Sequence, residues 1–205
     1  MTFASSTHFD QAARQWDERP LSRQLAAMLP RLLEALPLIP GQELLDFGSG
    51  TGMLSVPLAQ KGAKVTALDT SAAMLDVLEE KQVAGVTPLK QDIFAGLPQR
   101  YDGLVSCMAL HHVADTQALL EIFSEQLNPG GYLALVDLYA EDGSFHGDNE
   151  GKGVKHFGFE PQALEKQLLA AGFTDINFQE IHQLHHKNGR SYPLFLLRAT
   201  KPSLF

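Results

Sequence analysis

Aspartate and glycine residues follow short apolar segments in this chain at places where they could bind a ligand. Asp46 belongs to the run Leu44-Leu45-Asp46-Phe47, and glycine then occupies positions 48, 50 and 52. Glycine has no Cβ and tolerates positive φ, so this turn would let backbone N–H groups approach a ligand at the start of the next helix. An apolar strand that runs directly into such a turn predicts a cofactor site.

Four later apolar segments also end in residues with useful chemistry. They end at Asp69-Thr70-Ser71, at Asp92-Ile93, at the stretch 106–112 with its histidine pair, and at Asp137. Asp69 follows Gly52 by 17 residues. This is close to the ~20-residue separation at which a carboxylate accepts hydrogen bonds from both hydroxyls of a ribose. Asp69 is therefore predicted to bind a sugar.

The elements that position these residues alternate between strands and helices after Pro40-Gly41. Strands are predicted near 43–47, 64–68, 86–90, 102–107 and 132–137, with helices at about 52–61, 71–83 and 115–127. A turn at 128–131 ends the last of these helices, a helix starts at Glu160-Pro161, and two strands near 173–183 and 192–200 form a hairpin around Asn188-Gly189. The predicted fold class is α/β: a Rossmann-like, doubly wound, mostly parallel seven-stranded sheet with an antiparallel C-terminal hairpin strand and an N-terminal helical cap.

Two segments lie outside this alternation. Residues 8–36 have helical periodicity, with Pro30 predicted to divide or kink the second helix. We therefore expect a helical cap at 1–39 over the edge or mouth of the sheet, and a cofactor-binding domain at 40–205 in the same folding unit. Phe9 and Trp16 are interpreted as packing residues, and the arginines of the cap as a solvated face. The glycine-rich stretch 138–160 is predicted to be a long loop on the acceptor side.

Composition narrows the class of protein. The chain has 205 residues, a net charge of −8 and one cysteine, Cys107. A chain of this length can bury a full core, and the apolar segments are too short to cross a bilayer. The acidic balance disfavours nucleic-acid and membrane partners, and the N-terminus lacks the pattern of a signal peptide. We therefore expect a soluble cytoplasmic protein.

Charge also distinguishes between two cofactor classes that use this arrangement, dinucleotides and adenosyl compounds. The predicted strand-end loops 46–55, 69–78, 92–99, 106–118 and 137–151 contain no Lys or Arg, and the acidic residues in them include Asp46, Asp69, Asp92, Asp115, Asp137, Glu141, Asp142, Asp148 and Glu150. A pyrophosphate would meet like charge there, whereas a sulfonium with a free amino group would meet opposite charge. Met53 also occupies the position where a dinucleotide fingerprint has a small residue.

With these residues considered together, the chain resembles the class I S-adenosylmethionine-dependent methyltransferases, in the group that acts on small molecules. The resemblance extends from about residue 40 to 200, through segments 44–52, 65–70, 90–94, 101–113 and 127–137. It implies S-adenosylmethionine as cofactor and S-adenosylhomocysteine as product. By position, the methionine part would be held by Asp46, Gly48, Ser49, Gly50 and Gly52, the ribose by Asp69 with Thr70 and Met74 around it, the adenine by Asp92 and Ile93, and the methyl-donating end by Cys107 and Met108.

Methyl transfer needs alignment of donor and nucleophile, and a base where the nucleophile arrives protonated. His112, and after it His111, are the candidates for that base. No metal site is predicted, because His146, Asp148, Glu150 and His156 have no compact ligand spacing and His182, His185 and His186 are weaker still. The expected partner is a small organic acceptor with an O, N or C nucleophile. Two alternatives stay open: a non-catalytic protein that binds the same cofactor, and a nicotinamide-dependent oxidoreductase.

Overall fold

One seven-stranded sheet organises the chain in the computed structural model, which describes residues 6–204. Its strands are β1 (Glu43–Phe47), β2 (Lys64–Asp69), β3 (Val86–Lys90), β4 (Tyr101–Cys107), β5 (Leu127–Leu138), β6 (Thr174–His185) and β7 (Ser191–Thr200). Their order is β3-β2-β1-β4-β5-β7-β6, and β7 is antiparallel to both of its neighbours while the pairs from β3 to β5 are parallel. The predicted α/β fold class with an antiparallel hairpin strand is confirmed.

The strand order reverses between β1 and β4, which are direct neighbours. In doubly wound sheets the crevice for a ligand opens at the carboxyl ends of the strands on either side of such a reversal. The glycine turn after β1 and the histidine pair after β4 therefore lie beside the same crevice.

The helices cover both faces of the sheet. They are α1 (Thr7–Ala12), α2 (Pro20–Ala35), α3 (Ser55–Gln60), α4 (Ala72–Glu80), α5 (Thr116–Gln126) and α6 (Pro161–Ala170), with short 3-10 helices at Ala13–Glu18, Ile93–Ala95 and Leu110–His112. Phe123 of α5 and Leu168 of α6 are buried in one apolar cluster, and Met28 of α2 and Leu58 of α3 in another. Alternate residues of the same strands enter the two clusters, as the two faces of a buried sheet require. No helix within 6–204 has the length and apolar character needed to span a bilayer.

Two local expectations from the sequence are wrong, the division of the second helix at Pro30 and the turn at 128–131. Pro30 does not divide α2, which continues from Pro20 to Ala35. Pro30 is exposed, whereas Met28 and Leu32 on either side of it are fully buried. Packing of that face holds the helix together, and water can solvate the carbonyl that the missing N–H leaves free. The segment 128–131 lies inside β5, which pairs at Leu127 with β4 and then shifts register.

The N-terminal helices and the segment after β5 both lie near the carboxyl edge of the sheet. The helix Ala13–Glu18 packs on α4, and α2 packs on β6. Gln24 of α2 exchanges hydrogen bonds with the backbone of His185, as donor to its carbonyl at 2.8 Å and acceptor from its N–H at 2.7 Å. The segment between β5 and α6 is a long loop whose two ends are joined by a bridge between Tyr139 and Phe159. Its Asp142 and Ser144 side chains are hydrogen-bonded to Arg190 and Tyr192 of the C-terminal hairpin.

Candidate active site

The turn after β1 requires glycine for two reasons. Gly48, Gly50 and Gly52 all have positive φ, at 66°, 54° and 92°. In addition, a Cβ on Gly48 would lie 2.5 Å from the Cβ of Ala109, which follows β4. The backbone of β1 thus passes against the segment after β4 at the switch point, and the spacing of the glycines reflects this contact as well as ligand access.

Two carboxyl groups flank this turn, Asp46 in a buried position and Asp69 in a half-buried one. Asp69 accepts hydrogen bonds from the N–H of Gly50 and of Ser71, both at 2.8 Å. Burial raises the pKa of Asp69, while these backbone hydrogen bonds act in the opposite direction. Asp46 accepts a hydrogen bond from the Ser55 hydroxyl at 2.6 Å, and its burial raises the pKa of Asp46 to about 7.

A cavity of about 460 Å³ lies over the turn; we call it the glycine-turn cavity. It brings together most of the predicted cofactor residues: Asp46, Gly48, Ser49, Gly50, Gly52, Asp69, Met74, Cys107 and Met108. Thr70 lines a smaller cavity of about 70 Å³ together with Asp69 and Gln91. Asp92 and Ile93 line neither of these cavities, because Asp92 caps the N–H of Phe94 at 3.0 Å and Ile93 is buried in the core.

We expected no basic side chain in the cofactor cavity, but one basic residue lines it. Lys81, just after α4, lines the glycine-turn cavity and donates to the carbonyl of Thr51 at 2.6 Å. The same ammonium group forms a 2.8 Å ion pair with Asp17 of the N-terminal helices. Asp17 also accepts a 2.5 Å hydrogen bond from the Thr51 hydroxyl. Lys81 follows α4 and so lies outside the five strand-end loops that carry no Lys or Arg.

A second cavity, of about 680 Å³, adjoins the first; we call it the histidine cavity. Phe9, Trp16, Ser22, Leu25 and Met108 line both cavities, so the two are contiguous there. The interpretation of Phe9 and Trp16 as packing residues is therefore incomplete, since both line the junction. Arg19 is also more than part of a solvated face, because its guanidinium stacks 4.3 Å from the centre of the Trp16 ring and lines the histidine cavity.

The histidine cavity differs from the glycine-turn cavity in charge. Arg19, Lys152 and Lys187 line it, with Asp148 as its acidic residue. Residues 144–148 of the predicted acceptor-side loop contribute one wall, and residues 184–188 from the end of β6 and the hairpin turn contribute another. The second wall was not predicted from the sequence. The signal was available, because a strand on the far side of an antiparallel neighbour runs parallel to the rest and ends at the ligand edge.

Three histidines meet at the floor of this cavity. His111 Nδ1 lies 2.8 Å from Asp137 Oδ1, and its Nε2 lies 3.2 Å from His146 Nε2. His112 Nδ1 lies 3.2 Å from the carbonyl oxygen of Gly153. Burial, together with the neighbouring histidines, lowers the pKa of His112 to about 4 and the pKa of His146 further still. Asp148 and His156 are not part of this histidine cluster. Asp148 accepts a hydrogen bond from the N–H of Gly151, and His156 Nε2 lies 2.8 Å from the carbonyl oxygen of Val113.

Cys107, the last residue of β4, and Met108, which follows it, are unusual in thiol pKa and in backbone conformation respectively. Met108, at the junction of the cavities, has φ of 58°, a left-handed conformation that few non-glycine residues adopt. Burial and the nearby carboxylates of Asp137 and Asp46 raise the pKa of the Cys107 thiol well above its usual range. Cys107 is therefore a neutral wall residue rather than a nucleophile.

Several known proteins are similar to this chain in sequence. A ubiquinone biosynthesis O-methyltransferase of Xanthomonas euvesicatoria pv. vesicatoria is 32% identical over 162 residues, which cover 70% of this chain and 68% of that protein. An uncharacterized methyltransferase of Schizosaccharomyces pombe is 33% identical over 143 residues, which cover 60% of this chain and 50% of that protein. The chain thus spans only about half the length of the latter relative.

Solved structures share the fold over nearly the whole chain. The DhpI complex with SAH is 25% identical and has a TM-score of 0.74, with 97% of this chain and 95% of that chain covered. A magnesium protoporphyrin IX methyltransferase from Synechocystis PCC 6803, with bound SAH, is 22% identical with a TM-score of 0.73 and covers 96% of this chain and 94% of its own.

The profile of a family described as "Methyltransferase domain" matches residues 13–178, which include every strand from β1 to β5 and the whole glycine turn. The match and the fold agree with the resemblance that the sequence motifs indicate. This chain belongs to the methyltransferase domain family.

Proposed function

We propose that this chain transfers the methyl group of S-adenosylmethionine to an anionic small molecule. The observation that carries the proposal is the pair of contiguous cavities at the carboxyl edge of the sheet. One is formed by the glycine turn and carboxyl groups, the other is lined by basic side chains, and they meet at Phe9, Trp16 and Met108.

The glycine-turn cavity suits S-adenosylmethionine in shape and charge. Asp17, Asp46 and Asp69 line it, while the single lysine is paired with Asp17. A sulfonium and an ammonium group would gain from the uncompensated carboxyl groups, and bringing a cation close would favour ionisation of Asp46. Two neighbours with the same fold hold the demethylated product, which supports this cofactor. In this proposal residues 48–52 hold the methionine part and Asp69 the ribose.

The adenine end is the least defined part of the proposed site. Asp92 and Ile93 remain the predicted residues, but Gln91 and Thr70 are the side chains beside Asp69 in the small adjoining cavity. We propose that the adenine ring enters that cavity, against Phe47 and Leu68. The Gln91 side chain can donate and accept hydrogen bonds at the edge of the base.

Methyl transfer requires the protein chiefly to align the methyl donor with the acceptor and to exclude water. The acceptor's nucleophilic atom attacks the methyl carbon in line with the bond to sulfur, and that bond breaks with its electron pair going to sulfur. Met108 lies where the two cavities meet, next to Cys107 of the glycine-turn cavity, and Phe9 and Trp16 line the same junction on the side of the N-terminal helices. An oxygen acceptor is consistent with relatives named as O-methyltransferases.

Cofactor binding tests the first half of the proposal. S-adenosylhomocysteine should raise the melting temperature of the protein, and NAD should leave it unchanged. Asp69→Ala should weaken S-adenosylhomocysteine binding by about 2 to 3 kcal/mol, through loss of charge-assisted hydrogen bonds to the ribose. Asp76→Asn, an exposed position on α4, is the matched control. Unchanged affinity in a folded Asp69→Ala variant would refute the ribose assignment.

Methyl transfer tests the second half. Incubation of the protein with a metabolite extract and methyl-labelled donor should label a small molecule. Tight cofactor binding without any labelled product would instead favour the non-catalytic alternative, and stabilisation by NAD would favour the oxidoreductase.

A further inference from the structure

We propose that His111, His112 and His146 form a three-histidine site for a divalent transition metal, with zinc as the expected ion, on the floor of the histidine cavity. One ring nitrogen from each histidine lies within 4.8 Å of those of the other two. The site has an open side toward the cavity that the three residues line. This inference rests on the proposed function in one respect: the open position would bind an oxygen of the anionic acceptor.

The spacing of the ring nitrogens agrees with a metal centre. His111 Nε2 and His146 Nε2 are 3.2 Å apart. Two nitrogens bound to one zinc ion at ~2.0–2.1 Å in tetrahedral geometry are separated by about 3.3 Å. The His112 ring, whose centroid is 4.2 Å from that of His111, completes the group after a small rotation. Side chains at adjacent positions 111 and 112, together with one from the loop at 146, would hold the ion from two directions.

The hydrogen bonds behind the rings fix which nitrogen faces the proposed ion. His111 Nδ1 faces the Asp137 carboxylate, and His112 Nδ1 faces the Gly153 carbonyl. Each Nδ1 therefore carries the proton and donates it, which leaves the lone pair on Nε2. Carboxylate or carbonyl acceptors behind the ligating rings are the usual arrangement in metal sites. Asp137 is fully buried, so its charge is available to offset that of the cation.

A hydrogen-bonded histidine pair is the competing explanation for the short distance between His111 and His146. In that arrangement His146 Nε2–H donates to His111 Nε2, and His146 Nδ1 becomes an acceptor. His146 Nδ1 is buried and has no hydrogen-bond partner among residues 6–204. That atom is unpartnered with or without an ion, so it does not distinguish the two explanations. The hydrogen-bonded pair alone, however, gives no reason for a ring nitrogen of His112 to lie within 4.8 Å of those of His111 and His146.

The basic side chains of the histidine cavity are explained if an anion binds at the open coordination position of the metal. A cation held by three neutral imidazoles beside Arg19 and Lys152 would be repelled unless an anion joins it. An acceptor with two oxygen functions, such as a hydroxy acid or a catechol-type phenol, could place one oxygen on the metal and the other toward these basic side chains. Such compounds are the substrate class that the site would select.

Metal binding by tag-free protein tests the inference without reference to activity. Titration of metal-stripped protein with Zn²⁺, followed calorimetrically, should show one tight site per chain, and Co²⁺ should give the visible absorption of a low-symmetry nitrogen-ligated ion. His146→Ala should abolish tight binding, and Asp137→Asn should weaken it about tenfold to a hundredfold. His186→Asn removes another imidazole of the same cavity and should leave metal affinity unchanged.

The outcomes separate this inference from the proposed function. S-adenosylhomocysteine binding to each variant reports whether it is folded, since the cofactor cavity does not include His146. Stoichiometric zinc lost in His146→Ala but kept in His186→Asn supports the site. Absence of tight binding, or equal loss in both variants, overturns it in favour of a hydrogen-bonded pair, while methyl transfer by metal-free protein would leave the proposed function standing.

Discussion

Asp46 holds its carboxyl group in the interior of the sheet, with the Ser55 hydroxyl as its hydrogen-bond donor. Burial raises its pKa to about 7, above the 3.8 of an exposed aspartate. The folded protein therefore binds a proton that the unfolded chain has released over this interval, so unfolding free energy falls as pH rises through it. Below about pH 4 Asp46 is protonated in both the folded and the unfolded state, so it no longer makes the unfolding free energy depend on pH.

The resulting prediction concerns Asp46→Asn. Urea unfolding of the cofactor-free protein should show that wild type loses about 2 to 3 kcal/mol more than the variant between pH 5 and pH 7.5. The amide keeps an oxygen for the Ser55 hydroxyl but carries no charge to bury. Parallel pH dependences for the two proteins would show that Asp46 ionises at an ordinary pH in the folded state.

Individual site residues were predictable where a motif fixes the backbone. The glycines at 48, 50 and 52 and the carboxylate at 69 are local features of a strand, a turn and the next strand end. His146 was not predictable as a neighbour of His111 and His112, because it lies 34 positions after His112 and the intervening segment after β5 has no periodic pattern. Gln91 was not predicted as a site residue, because a neutral amide next to the charged Asp92 has no distinguishing pattern in the sequence.

At the scale of elements, the N-terminal helices are attached to the cofactor site by side chains. Asp10 accepts a 2.5 Å hydrogen bond from Ser71 at the start of α4, and Asp17 binds Thr51 and Lys81. Arg14 also pairs with Glu80, but this pair is well exposed and lies outside the cavities. Exposed pairs of this kind contribute little to stability, so the contacts at Asp10 and Asp17 are the ones expected to influence the site.

Asp17→Asn tests this attachment through ligand charge. The change leaves the Lys81 ammonium without its carboxylate in the glycine-turn cavity. S-adenosylmethionine carries a sulfonium and its product does not, so affinity for the donor should fall about threefold to tenfold more than affinity for S-adenosylhomocysteine. Calorimetric titration of both ligands measures the difference. Arg14→Gln breaks the exposed pair on the same helices and should affect neither ligand; equal losses for the two ligands in Asp17→Asn would contradict the electrostatic explanation.

The elements themselves followed from the sequence to a large extent because strands β1 to β4 and helices α4 to α6 have clear apolar periodicity and polar ends. The exceptions are tertiary. Pro30 stays inside α2 because the buried face of that helix outweighs a lost hydrogen bond, and Leu127 joins β5 because β4 supplies a partner. Neither interaction is encoded within the few residues that a local pattern can examine.

On the scale of the whole molecule, two cavities of opposite charge share one edge of the sheet. An acidic site was expected from the sequence, since the strand-end loops carry no basic residue. The basic side chains come from outside those loops: Arg19 precedes α2, Lys152 follows the acidic part of the long loop, and Lys187 lies in the hairpin turn. Three distant parts of the chain thus create the second cavity, and only the assembled fold shows it.

This separation of charge predicts the chemical nature of the acceptor. When a metabolite extract is fractionated on an anion exchanger, the compound labelled by this protein should be retained and should elute with salt. Arg19→Gln combined with Lys187→Gln should lower kcat/KM for that acceptor by about tenfold or more, because two charge-assisted contacts are removed. The same variant should bind S-adenosylhomocysteine normally, since neither side chain reaches the glycine-turn cavity.

Lys166→Gln, exposed on α6, is the control for net charge. A labelled acceptor that passes through the exchanger, or one whose methylation is indifferent to the double substitution, would contradict an anionic substrate while leaving the cofactor assignment intact.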